Sequence, residues 1–442
     1  MRGSRPLVLL TVLSLALAPV ALVGLAAGSL AAPTQPAGDG GALPQTTVSP
    51  STPNATWKLG LAPQSIERIG YTRPGVDVGA TILRSNDRIT DRMAAHSLSV
   101  RLESASSDEQ RFDILVNESD RIEGRITNLR ADERAAIAAY NTGDIRSETL
   151  LTRLARIHAW ADHLQRRVDS VRAGGEAIQS ASIIARADEL EVAVTALRGP
   201  IRERAIEIHR GEAAGIQVYA ETAPEGVVLA TVMDDAYVRE AYDGARRTAE
   251  GPTISLQDAI TVFSDIYPSA FTNVDDMQAG GQRSAGIYYV TLTTNDREEI
   301  RSFLDNRNRT VFKEFYRQPR PWIEFAPAVS VSGNGTVVRI NRTYPSGPMR
   351  VTVLDGETGE PTRATVTIDG AEVGRTNPYG TVWAIENRGP DRVSVARPDG
   401  RHVNVTLAPP TNPPGNTVAG GGSEGESAGS EEFLTAAKLA AL

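Results

Sequence analysis

The sequence predicts a multidomain α+β protein: an antiparallel helical coiled-coil bundle, then a small α/β module, then a β-sandwich. Three observations predict it. Apolar residues recur at helical spacing over residues 78–210, they alternate with a period of two after Gly211, and from about Val329 only short strands remain, separated by turns such as Asp355-Gly356, Asp369-Gly370 and Asp399-Gly400. The 442 residues, 40% apolar and 23% charged, are enough for two or three packed cores and exclude full disorder or a collagen-like fibre.

The first element is an address. Arg2 and Arg5 precede an uncharged apolar run over residues 6–32, the arrangement of an export signal, with small residues at Ala27-Gly28-Ser29 as one cleavage point and Ala32 as another. The run exceeds the usual about 7–15 apolar residues of such signals, so an uncleaved N-terminal anchor is the alternative. Residues 33–75 are expected to be a spacer, rich in Pro, Thr, Ser and Gly to about residue 57.

The bundle is expected over residues 76–212. Its clearest stripe is Leu150, Leu154, Ile157, Ala161, Leu164, Val168 and Val171, a heptad seam. Before it, Phe112, Leu115, Ser119, Ile122, Ile126, Leu129, Ala136 and Tyr140 trace another; after it, Ile183, Ala187, Leu190, Val194, Leu197 and Ile201 do so again. A weaker stripe, Ile82, Ile89, Met93 and Val100, opens the bundle with His96 on its seam. A helix over residues 108–140 would be about 50 Å long, so it is expected to pair with neighbours rather than stand in a compact globule. Thr142-Gly143-Asp144 separates two helices, Gly174-Gly175 is expected to end the third, and Gly199-Pro200 to kink or split the fourth.

The α/β module is expected over residues 213–327. Val227 to Val232 is a strand, Ser255 and Asp258 form a capping box for a helix that Tyr267-Pro268 stops, and residues 287–292 begin a further strand. Residues 300–315 read as a hairpin around Asp305-Asn306-Arg307-Asn308. The sandwich follows over residues 328–408, and residues 409–442 read as a disordered tail with a short amphipathic end.

Composition removes whole classes of chemistry. There is no cysteine, hence no disulfide framework, thiolate metal site or cysteine nucleophile. The net charge of -8 argues against a general affinity for nucleic acid or anionic lipid. No HExxH, Gly-x-Ser-x-Gly or P-loop occurs. His158 and His163 are the best metal candidates, but five residues place them about 140° apart on a helix, and they are read as a solvated pair. His209 and His402 stand alone. Arg153, Arg156, Arg166 and Arg167 are mixed with acids and read as a solvated face. Asp234-Asp235 and Asp275-Asp276 supply too few oxygens for calcium and are read as loop caps or helix starts. Asp355, Glu357 and Glu360 fit a hairpin turn, and Tyr288, Tyr289 and Phe315 fit either a core or a groove for a peptide. No catalytic, cofactor or metal residue is therefore assigned. Six sequons, at Asn54, Asn117, Asn308, Asn334, Asn341 and Asn404, exceed the two or three expected by chance and suggest N-glycosylation outside the cytoplasm.

Two segments resemble known families. Residues 254–268 (ISLQDAITVFSDIYP), IYYVTL and EIRSFLDNRNRTVFKEFYR are similar to a PepSY-type module, though Asn308-Arg309-Thr310 stands where the usual Thr-Gly pair would be. That resemblance implies a peptidase-inhibiting or ligand-sensing role without catalytic residues. Asp355-Gly356-Glu357-Thr358-Gly359-Glu360-Pro361, Ala364-Thr365-Val366 and Arg375-Thr376-Asn377-Pro378-Tyr379-Gly380 resemble a carboxypeptidase-regulatory-like, transthyretin-related sandwich, which implies a spacer or adhesive repeat. The order of signal, bundle, module and sandwich resembles haloarchaeal secreted or surface proteins of unknown function. Only Lys58, Lys313 and Lys438 are lysines among 46 basic residues, a bias that a GC-rich genome or a saline habitat would explain.

The expected function is that of a non-catalytic exported scaffold or binding module. Its partners would be extracellular proteins or cell-envelope components; no nucleic acid is expected, membrane contact only through an uncleaved anchor, and oligomerisation could run through the bundle. The alternatives are a regulator of an exported peptidase acting through the PepSY-like module, and an extracellular hydrolase using carboxylates such as Asp234, Asp235 or Asp305.

Overall fold

The computed structural model describes residues 58–248, 250–282 and 286–410. The expected export signal, the spacer up to residue 57, Asn54 and the tail from residue 411 lie outside them. The described residues belong to one compact unit.

Five helices come first: α1 (Val78–Ser104), α2 (Asp108–Asn141), α3 (Ser147–Ala177), α4 (Ala181–Thr195) and α5 (Pro200–His209). Ser107 caps α2 by accepting from Gln110 N at 3.2 Å, and Asp108 and Glu109 favour its positive end. Gly143 turns the chain toward α3 at φ 88°. The expected stop at Gly174-Gly175 is not there: α3 runs through both glycines. A Cβ on Gly174 would lie 2.7 Å from Leu115, and one on Gly175 2.8 Å from Ile183, so these glycines admit the neighbouring helices α2 and α4 instead of ending their own. Gly199-Pro200 does split α4 from α5. Glu118 meets Arg167 while Tyr140 meets Ser147, so α2 and α3 run antiparallel. By contrast, Asp87 meets Arg156 and Asp91 meets His163, so α1 lies parallel to α3.

An eight-stranded antiparallel sheet follows, in the order β1-β2-β3-β4-β8-β7-β6-β5. It comprises β1 (Arg68–Thr72), β2 (Val218–Ala223), β3 (Gly226–Met233), β4 (Ala236–Asp243), β5 (Val274–Gln282), β6 (Ile287–Thr294), β7 (Glu299–Asp305) and β8 (Thr310–Pro319). Strand β1 comes from the stretch expected to be spacer; Leu59 and Leu61, just before it, are buried as well. Helices α6 (Leu256–Ile266), with the expected capping box, and α7 (Pro268–Thr272) precede β5.

The period of two in β2 to β4 sends alternate residues to opposite faces. Val218, Ala220, Val227, Leu229 and Val238 enter one core with α2 to α5, so the expected bundle and module share a single apolar interior. Tyr219, Val228, Ala230 and Tyr237 enter a second core with α6, α7, Tyr344 and Ile385.

The C-terminal part is a sandwich of two four-stranded sheets, β14-β11-β10-β9 and β13-β12-β15-β16. Its strands are β9 (Val329–Gly333), β10 (Thr336–Asn341), β11 (Pro348–Asp355), β12 (Thr365–Ile368), β13 (Ala371–Arg375), β14 (Thr381–Ile385), β15 (Asp391–Ala396) and β16 (His402–Leu407). Val338, Val351, Val366 and Val393 fill its interior. It is fixed to the large sheet: Tyr237 Oη donates to Ser346 O at 2.7 Å, Tyr71 Oη to Ile385 O at 2.8 Å, and Arg388 Nε to Glu221 at 2.7 Å. None of the described helices is long and apolar enough to cross a membrane.

Candidate interaction surface on the first helix

Helix α1 is held to the body by polar contacts at its inward positions. Asp77 caps it, accepting from Ala80 N at 2.8 Å, while the Asp77 amide donates to His209 O at the end of α5. Arg84 then meets His209 Nδ1 at 3.3 Å, Asp87 pairs with Arg156, and Asp91 with His163 and Arg166. Burial and the charge of Arg84 lower the pKa of His209. Leu98 is the one large apolar side chain of α1 that is buried.

Its other face is uncovered. Of the eleven exposed large apolar side chains among the described residues, seven lie between Val76 and Val100: Val76, Val78, Ile82, Leu83, Ile89, Met93 and Val100. Asn86, Met93 and Val100 recur every seven residues, and so do Ile82, Ile89 and His96, each four positions before one of them. These are the a and d positions of a heptad, about 27 Å of seam along the helix, with its polar interruptions at Asn86 and His96. Rows of exposed apolar side chains of this kind are the surfaces at which proteins commonly meet partners. The stripe is legible in the sequence, but it was expected to close the bundle with His96 as a seam residue; in the structure it points outward, because the inward positions carry Arg84, Asp87 and Asp91 and leave little apolar surface to bury.

The other candidates have structural partners. His158 and His163 are both buried, not the solvated pair expected. His158 Nδ1 accepts from Gly199 N at 3.0 Å while its Nε2 lies 3.4 Å from Asp162, so the ring ties α3 to the start of α5. No cluster of three or more metal-ligating side chains occurs among the described residues. Arg156, Arg166 and Arg167 pair with Asp87, Asp91 and Glu118. Asp234 and Asp235 are the two residues of the β3–β4 hairpin turn, Asp234 at φ 53°, and they pair with Arg204 and Arg317. Asp275 and Asp276 fall at a register shift in β5, not at a cap or helix start. Asp305 is buried and spends its oxygens on the amides of Thr248, Arg307 and Asn308. Asp355 likewise accepts from the Glu357 and Thr358 amides, which with Arg397 hold its carboxyl down at about 2. Tyr288 is in the core, with its hydroxyl on Ile254 O, while Tyr289 and Phe315 pack around Phe303. Among the sequons, the Asn117, Asn308 and Asn334 amides donate to backbone carbonyls, Asn341 accepts from Arg350, and Asn404 is exposed on β16.

The architecture defines an α+β protein in which α2 to α5 cover one face of an antiparallel sheet, while α6, α7 and the C-terminal sandwich lie on the other. Segment by segment, residues 1–214 match a domain of unknown function (DUF7096), residues 218–324 a family of unknown function (DUF7094), and residues 328–405 the archaeal fibronectin-III type-like domain. Together these matches support an archaeal family of unknown function that carries a fibronectin-III-like β-sandwich. No curated protein and no solved structure matches the chain.

Proposed function

We propose that the chain is an exported, non-catalytic cell-surface or secreted binding protein, and that α1 is the arm with which it engages partners. Export is supported by the run over residues 6–32 and by the sequons, of which Asn404 is the one to examine first. The single observation that carries the binding role is the outward a/d row from Ile82 to Val100. Its first partner is α1 of a second copy: Asn86 at an a position and His96 at a d position are polar breaks that an unrelated apolar groove would leave unpaired, whereas a two-fold axis sets matching polar groups against each other.

Sedimentation of the full chain against Ile82→Asp and Met93→Asp tests this. A concentration-dependent dimer at about 100 µM or below, abolished by either substitution with melting temperature unchanged, is the expected result. A wild-type chain that stays monomeric throughout, or variants that dimerise as well as it does, would overturn the reading.

A second reading, regulation of an exported peptidase through the PepSY-like stretch over residues 213–327, has one observation in its favour. Helix α6 is followed by the meander β5 to β8, and β5 is one of the sheet's two edge strands, the kind of place where an extended peptide adds. The hydrolase alternative gains no support from Asp234, Asp235 or Asp305, whose carboxylates serve turns and ion pairs. The haloarchaeal origin is supported by the scarcity of lysine alone.

A further inference from the structure

On the side of the sheet that α2 covers, a cleft of about 310 Å³ opens between that helix and the ends of β4 and β8. Four arginines line it, from three separate parts of the chain: Arg130 and Arg134 from α2, Arg247 after β4, and Arg307 from the β7–β8 turn. Glu225 is the one carboxylate on its wall. Arg247 is held in place, its guanidinium carbon 4.7 Å from the Phe312 ring centre and its Nε 3.5 Å from Asp305 Oδ2. That carboxylate is shared with the Thr248 amide, and its other oxygen serves the Arg307 and Asn308 amides, so it only partly balances the cluster. Arg130, Arg134 and Arg307 form no salt bridge among the described residues, in a chain where most arginines of the helices do. Burial and the nearby charge of Arg247 lower the pKa of Arg130, against the opposing influence of Tyr242 and Glu133.

Crowding four guanidinium groups costs free energy unless something negative sits between them. An exposed stripe of arginines is screened by solvent and needs no ligand; a concave wall at which three chain segments converge is the geometry of a binding site. Guanidinium forks match the paired oxygens of tetrahedral oxyanions, and the half-buried Tyr242 also lines the cleft. The volume admits such a group with a small organic substituent but not a folded partner.

We propose that this cleft binds a phosphate or sulfate group, free or as an ester on a small sugar. The site is independent of α1, so its fate does not depend on the dimer reading.

The test titrates the full-length protein by calorimetry and thermal shift with inorganic phosphate, inorganic sulfate, glucose 6-phosphate and a sulfated monosaccharide, each against chloride at equal ionic strength. The expected result is saturable binding with a rise in melting temperature, reduced at least tenfold in affinity by Arg134→Gln/Arg307→Gln and partly restored by Arg134→Lys. Tighter binding of the esters would assign the source to a modified sugar, and equal binding to the free ion; either supports the site. Arg134 is exposed and Arg307 half-buried, so the double variant should fold, and its melting temperature without anion should match or exceed that of the wild type. No response beyond chloride for any of the four probes, or equal responses in wild type and the double variant, would overturn the proposal.

Discussion

Arg202 Nε lies 2.7 Å from Glu240 Oε1 with both side chains buried, and the other arm of the same guanidinium is 2.7 Å from Glu133 Oε1. One residue of α5 thereby ties α2 to the central strand β4. The two carboxylates raise the pKa of Arg202 in spite of its complete burial. Glu240 Oε2 also accepts from the Ile201 amide at the start of α5, at 3.2 Å. Removing the cation alone leaves two buried acids unpaired, so Arg202→Met is expected to cost about 3–5 kcal/mol in urea unfolding. Replacing all three members by apolar residues of similar volume should restore most of that; a wild-type midpoint for Arg202→Met would refute the account.

Gly199 exists for the same pair. A Cβ there would fall 2.0 Å from Glu240 Oε2, which is held by Arg202 and cannot swing away. Gly199→Ala should therefore destabilise by about 1–3 kcal/mol, although alanine normally favours order, and a second substitution, Glu240→Ala, should make the glycine replaceable. Additive effects in that double-mutant cycle would contradict the contact.

Lys313 is fully buried on β8, and its Nζ has no hydrogen-bond partner among the described residues, lying 5.1 Å from the Phe315 ring centre. Burial, with the charge of Arg202, pushes its pKa down to about 8. Between that value and the unfolded lysine's value of about 10.4, the unfolded state holds the extra proton, so stability should rise with pH across this window. Lys313→Met should abolish that rise and stabilise the protein at pH 7 by about 1–4 kcal/mol. A destabilised variant would indicate that the ammonium is satisfied after all.

In the sandwich, Glu386 is buried against Arg342, and burial pushes its carboxyl up to about 7; Asp391, raised by burial, reaches about 6. Because the folded values exceed the unfolded ones of about 4, the folded state holds the extra proton, and this contribution to stability is present below about pH 4 and lost as pH rises to 7. Glu386→Gln should flatten the decline between pH 4.5 and 7 in a comparison of unfolding midpoints. Identical pH profiles for variant and wild type would exclude a raised carboxyl there.

Leu98 and Ile82 lie on opposite sides of α1, one buried and one 61% exposed. Leu98→Ala should cost about 2–5 kcal/mol and Ile82→Ala less than about 0.5 kcal/mol in the monomer. Equal costs would mean that the outward face is covered.

The sequence by itself determined most elements. Helical periodicity located α2 and α3, Ser255 and Asp258 fixed the start of α6, Gly199-Pro200 separated α4 from α5, and Asp-Gly turns spaced the sandwich strands, because each of these depends on contacts within a few residues. The tertiary structure decided what those elements cover. Periodicity reports that a helix has an apolar stripe but not which way the stripe faces, so the row from Ile82 to Val100 was readable while its exposure was not. Gly174 and Gly175 look like a helix end until Leu115 and Ile183 are seen pressing on them. Arg130, Arg134, Arg247 and Arg307 are ordinary surface arginines in the chain, and only the packing of α2 against the ends of β4 and β8 turns three stretches of sequence, the first and last 177 positions apart, into one wall.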